Sequence, residues 1–88
     1  MYSIFFTNQA RRVFKRLPPD VQEKLKAEAG TLTQNPLAGE PLQGSYRQHR
    51  SLHKSYKGTA YRIIYQILSK ANSIAIVLAD KRLQEMKL

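Results

Sequence analysis

The ten residues from Thr59 to Leu68, TAYRIIYQIL, are dense in β-branched and aromatic side chains and hold a single full charge, Arg62. Such a segment favours a strand. Side chains alternate across a strand, so Tyr61, Ile63, Tyr65 and Ile67 share one face, while Arg62, Ile64 and Gln66 share the other. The apolar face seeks a core, and the arginine points away from it. The segment from about Arg47 to Tyr56 mixes polar and apolar residues and reads as the first arm of a hairpin closed by Lys57-Gly58, with Gly58 supplying the positive φ of a tight turn. A two-residue loop opposes Tyr56 to Thr59, His53 to Arg62 and Leu52 to Ile63. A three-residue loop brings Lys54 to Arg62 instead and takes Leu52 off the core side, which favours the shorter loop. After Leu68, Ser69 to Ser73 is a second turn, and Ile74 to Ala79 is an apolar run suited to a strand buried on both faces, closed by Asp80-Lys81-Arg82.

Upstream, Tyr2 to Phe6 reads as a short strand ending at the capping residues Thr7 and Asn8. Ala10, Val13, Phe14 and Leu17 then form a helical stripe that Pro18-Pro19 stops. Asp20 and Glu23 suit the positive end of a second helix, whose buried stripe is Val21, Leu25, Ala29 and Leu32 and which Asn35-Pro36 terminates. Leu37 to Gly44 has two glycines and a proline and reads as a loop. The order β-α-α-β-β-β predicts an α+β fold, a small antiparallel sheet with a helical hairpin packed on one face. Residues 1–88 make one domain, with enough chain for a single core. The other face of the sheet is left partly free, and one strand must lie at an edge.

With no cysteine, neither a disulfide framework nor a thiolate zinc site supports the fold. The chain shows no secretory leader pattern and no apolar run of roughly 20 residues, so it reads as a soluble cytoplasmic protein with no membrane partner. Fifteen Lys plus Arg against six Asp plus Glu give a formal charge of +9, which points to a polyanionic partner. From Pro41 to Ala79 there is no acidic residue, while Arg47, Arg50, Lys54, Lys57, Arg62 and Lys70 are joined by His49 and His53. Tyrosines interleaved with these cations favour nucleic acid over a lipid surface.

Arg62 is the centre of the candidate site, because the acid-free stretch around it offers no obvious salt-bridge partner. His53 or Lys54 stands beside it, and Lys81 and Arg82 reach the open face if the last strand neighbours the central one. Guanidinium groups hydrogen-bond phosphate and neutralise charge that builds on it, and histidine moves a proton near neutral pH. Arg47, Lys57, Lys81 and Tyr56 are candidate nucleic-acid contacts. The scattered acids and isolated histidines argue against a metal site, and serine-nucleophile chemistry lacks its acidic member. What remains is metal-free work on a phosphodiester, without a cofactor, or plain binding.

The element order, Leu42-Gln-Gly44 before the sheet, Ala60 to Tyr65 (AYRIIY) and the closing Lys81-Arg82 together resemble the RelE/ParE superfamily of toxins from type II toxin–antitoxin modules, and look more like its RelE branch. The resemblance implies a metal-independent, ribosome-dependent endoribonuclease that cuts messenger RNA and stops translation, and an antitoxin partner whose acidic or amphipathic segment wraps the toxin. The ParE branch would instead imply a DNA gyrase inhibitor that catalyses nothing. By position, Arg62 and Arg82 correspond to phosphate-stabilising arginines of the family, and Arg50, His53 and Lys54 are candidates for the basic residues of the preceding strand. Family members often carry a tyrosine shortly after the Lys-Arg pair; Leu83 to Leu88 has none. Either His53 takes over the proton work or the activity is weakened or lost.

Overall fold

In a computed structural model, residues 2–44 and 48–82 are described. The chain runs β1 (Ser3–Phe6), α1 (Asn8–Phe14), α2 (Pro19–Gly30), β2 (Glu40–Pro41), β3 (His49–Tyr56), β4 (Thr59–Leu68) and β5 (Ser73–Lys81), with single 3-10 turns at Thr31–Thr33 and Ser69–Ala71. The five strands form one sheet in the order β1-β5-β4-β3-β2. Pairing is antiparallel except between β1 and β5, which run parallel. No helix among the described residues is long and apolar enough to cross a membrane.

Two details depart from the sequence-based reading. The loop from Leu37 to Gly44 contains β2, whose Glu40 and Pro41 pair with Ser51 and Arg50 at the sheet edge. Two residues carry no periodicity, and a proline is admissible at an edge, so the pattern was silent there. The sheet is also not wholly antiparallel, because the first strand lies beside the last and both run the same way. The helical hairpin between β1 and the rest of the chain allows that crossover.

Local chemistry accounts for the helices. The Thr7 hydroxyl accepts the Ala10 N–H at 3.2 Å and caps α1. Pro19 opens α2 where no backbone donor is needed, and Asp20 stands in its first turn. From the helical side Phe14, Leu17, Val21, Leu25, Ala29 and Leu32 enter the core, and they meet Leu52, Tyr61, Ile63, Tyr65, Ile74, Ile76 and Ala79 from the sheet. Leu32 reaches the core from the 3-10 turn after Gly30 and not from the helix itself.

Register is fixed at both ends of β4. Lys57 and Gly58 have φ of 50° and 80°, the mirror-image turn that suits a two-residue hairpin, and Tyr56 opposes Thr59. At the other flank the β4–β5 pairing steps from Ile64↔Leu78 to Tyr65↔Ile76, so Val77 is the extra residue of a β-bulge. Without it Leu78 and Asp80 would share the side of Ile74 and Ile76. With it, Ala79 returns to the core and Asp80 faces away.

Tyr65 ties this sheet to the segment after α2. Its hydroxyl donates to the Pro36 carbonyl at 2.6 Å and accepts the Gly39 N–H at 2.9 Å, from a side chain with no exposed area. A Cβ on Gly39 would stand 2.9 Å from that same hydroxyl and from the Ser51 carbonyl, so only glycine fits the approach. Tyr65→Phe leaves both loop groups without their partner and is expected to lower unfolding stability by about 1–3 kcal/mol, read from urea midpoints. An unchanged midpoint would show that water satisfies these groups equally well.

Candidate functional site

Strand register assembles one row of chemistry on the face turned from the helices. His53 of β3 opposes Arg62 of β4, and Arg62 opposes Asp80 of β5. The backbone N–H of Arg82 donates to the Ala60 carbonyl at 2.9 Å, which carries the β4–β5 ladder one step past β5. Residue 82 therefore stands on the same face as Arg62, as its diagonal neighbour at ~7–8 Å. His53 and Arg82 are exposed, and Arg62 and Asp80 are half-buried.

Among the described residues the Arg62 Nε has no acceptor. That nitrogen is buried, and the side chain makes no ion pair among the described residues. A buried donor left unsatisfied costs about 1–3 kcal/mol, so an arriving anion would recover energy there as well as charge. The expectation that no acid stands near Arg62 fails, since Asp80 lies directly across from it. The acid-free stretch ends at Ala79, one residue short, and the bulge at Val77 is what turns Asp80 to this side. The sequence signal for it was adjacency to Lys81-Arg82, a signal that does not specify a face. Among the described residues, no three of His, Asp and Glu gather where a metal ion could sit.

Residues 4–84 match the family model for the ParE toxin of the type II toxin–antitoxin system, parDE. The chain belongs to this toxin family. Within the wider RelE/ParE superfamily, Toxin RelG of Mycobacterium tuberculosis is 32% identical over 83 residues, which cover 92% of this chain and 91% of that protein. The toxin–antitoxin complex RelBE2 of Mycobacterium tuberculosis contains a chain with the same fold, at a TM-score of 0.77 and 32% identity, over 92% of this chain and 98% of that one. The isolated Escherichia coli RelE toxin superposes at a TM-score of 0.78 with 20% identity, over 97% of this chain and 88% of that one, a likeness of fold.

Several cations singled out in the sequence of this toxin are not brought to the arginine row. Lys54 opposes Tyr61 on the helix-covered side, where its Nζ lies 3.4 Å from Glu28 of α2. Arg50 opposes Tyr65 on that side too, and its guanidinium donates to the Gly39 and Leu37 carbonyls at 2.9 and 3.3 Å. Both are catalytic candidates by their position in the family resemblance, but the alternation of the strand turns them to the core side. Lys57 and Tyr56 bond Asp20 at the start of α2, at 2.9 and 3.3 Å, with the Lys57 ammonium also over the Tyr56 ring. Lys81 opposes Tyr61 and so belongs to the helix side of the strand end. Arg47 lies outside the described residues.

These ion pairs favour the charged forms of the groups they join. The hydrogen bond from Lys57 holds the Asp20 carboxyl below its ordinary value, and Asp20 in turn raises Lys57. For Glu28, burial pushes the carboxyl up, but the hydrogen bond from Lys24 and the charges of Lys54 and Lys24 outweigh it and leave the value lowered. A lowered folded-state value gives stability that is present above the unfolded carboxyl's titration and is lost as pH falls through the folded one. Lys54→Met removes one of the two cations, so Glu28 should titrate at higher pH by carboxyl NMR and the stability gap between neutral and acid pH should narrow. An unmoved Glu28 titration would place Lys54 elsewhere in solution.

Proposed function

We propose that this toxin is a metal-independent, ribosome-dependent endoribonuclease that cuts messenger RNA in the cytoplasm and so inhibits translation. The observation that carries the reading is Arg62, set on the helix-free face with an unpartnered Nε and with His53 and Arg82 as neighbours on that face. In the proposed reaction the messenger's own 2′-hydroxyl attacks the adjacent phosphate. Arg62 and Arg82 hydrogen-bond the non-bridging oxygens and neutralise the charge that builds there, taking the part a metal ion plays elsewhere. His53 moves a proton. The 32% identity to Toxin RelG and the RelE-like fold support this branch.

A second reading, a noncatalytic inhibitor of DNA gyrase, is favoured by the family model itself, which describes the ParE toxin. Purified ribosomes programmed with a defined messenger separate the two. Cleavage that falls at least ~10²-fold in Arg62→Ala and in Arg82→Ala supports the nuclease; intact messenger together with blocked supercoiling supports the gyrase inhibitor.

The partner of the proposed module is a cognate antitoxin with an acidic or amphipathic segment. Supporting it is a groove of about 360 Å³ beside β1, floored by Phe5, Phe6 and Phe14 and rimmed by Arg11, Lys15 and Lys26. An apolar floor with a cationic rim complements a segment that is apolar on one side and acidic on the other. Affinity of that complex should fall steadily as salt is raised, in equilibrium binding; a flat salt dependence would rule out charge pairing as its basis.

A further inference from the structure

Asp80 has no part in the chemistry proposed above, yet β3, β4 and β5 set His53, Arg62 and Asp80 in one row across the open face. Directly opposed residues on antiparallel strands stand ~4.5–5.5 Å apart at Cα, so His53 and Asp80 flank the arginine at ~10 Å from each other. The Asp80 Oδ1 accepts the Lys81 N–H at 2.8 Å, which orients the carboxylate at the strand end. Among the described residues it forms no ion pair with Arg62, as a carboxylate present only to neutralise that guanidinium would.

Attack by a 2′-hydroxyl needs two proton transfers on opposite sides of one phosphorus. The line from base through the reacting centre to acid contains a hydrogen bond of ~2.7 Å at each end, ~3 Å from the attacking oxygen to phosphorus and the breaking P–O bond of roughly 1.6 Å, and so spans ~10 Å. The row supplies that span with a phosphate-binding cation at its middle. A carboxylate accepts a proton at neutral pH, and an imidazolium gives one.

We propose that Asp80 is the general base and His53 the general acid, on either side of the phosphate that Arg62 holds; the assignment rests on the nuclease reading. Asp80 takes the proton of the 2′-hydroxyl as the 2′-oxygen forms its bond to phosphorus. The bond from phosphorus to the 5′-oxygen breaks, its electron pair stays on that oxygen, and His53 protonates it. The products are a 2′,3′-cyclic phosphate and a 5′-hydroxyl. Asp80 is left protonated and His53 neutral, and both reset by exchange with water.

The test is single-turnover cleavage on programmed ribosomes across pH, with an ordinary messenger and with one carrying sulfur in place of the bridging 5′-oxygen at the cut, since a thiolate leaves without a proton. Asp80→Asn is expected to slow both messengers ~10²–10⁴-fold and to abolish the decline in rate on the acid side, while Asp80→Glu keeps that decline at a reduced rate. His53→Gln is expected to slow the ordinary messenger comparably and to recover on the sulfur messenger. Parent-like cleavage by Asp80→Asn, an acid-side decline that persists in it, its recovery on sulfur, or failure of His53→Gln to recover there each overturns the assignment. If the parent toxin cuts neither messenger, the nuclease reading itself falls, and this assignment with it.

Discussion

The register of three antiparallel strands is the constraint on which the rest of this molecule hangs. Tyr61, Ile63 and Tyr65 are buried under the helices, and Leu52 and Ala79 opposite Ile63 and Ile76 opposite Tyr65 are buried with them. Burying one large apolar side chain contributes about 1.5–3 kcal/mol, and a slip of one residue would turn several of them to solvent at once. The core thus holds β3 and β5 in place, and the polar face is a by-product of that choice. His53, Arg62 and Asp80 meet because Leu52, Ile63 and Ala79 must.

The two faces treat their cations differently. On the helix side Lys54, Lys57 and Arg50 each find an anion or a carbonyl, so their charge is spent on holding α2 and the loop after it against the sheet. On the open side Arg62 has no such partner among the described residues, and its buried Nε is left with an unmet demand. A protein of formal charge +9 has cations to spare; what distinguishes a site is which of them the fold declines to satisfy. The same logic separates Arg62 from Arg50, two strand arginines that composition alone cannot tell apart.

Much of this was legible in the chain. The residues of β4, the two-residue turn at Lys57-Gly58 and the pairing of His53 with Arg62 follow from alternation and turn chemistry, both local rules. The stripes of the two helices were equally plain. The bulge at Val77 was not, because Ile74 to Ala79 is apolar throughout and an unbroken apolar run carries no phase. With the phase unknown, the side taken by Asp80 was unknown too. The parallel pairing of β1 with β5 was hidden for another reason, since partners such as Ser3 and Ser73 lie far beyond any local pattern.

That pairing of first strand to last has a temporal side. Synthesis makes β1 well before β5, its neighbour in the sheet, so β1 stays unpaired until β5 has been made. Arg82 takes its position only through the ladder that β5 extends. Until β5 is docked, a folding copy of the chain has no assembled arginine face, so closing the sheet and completing that face are one event.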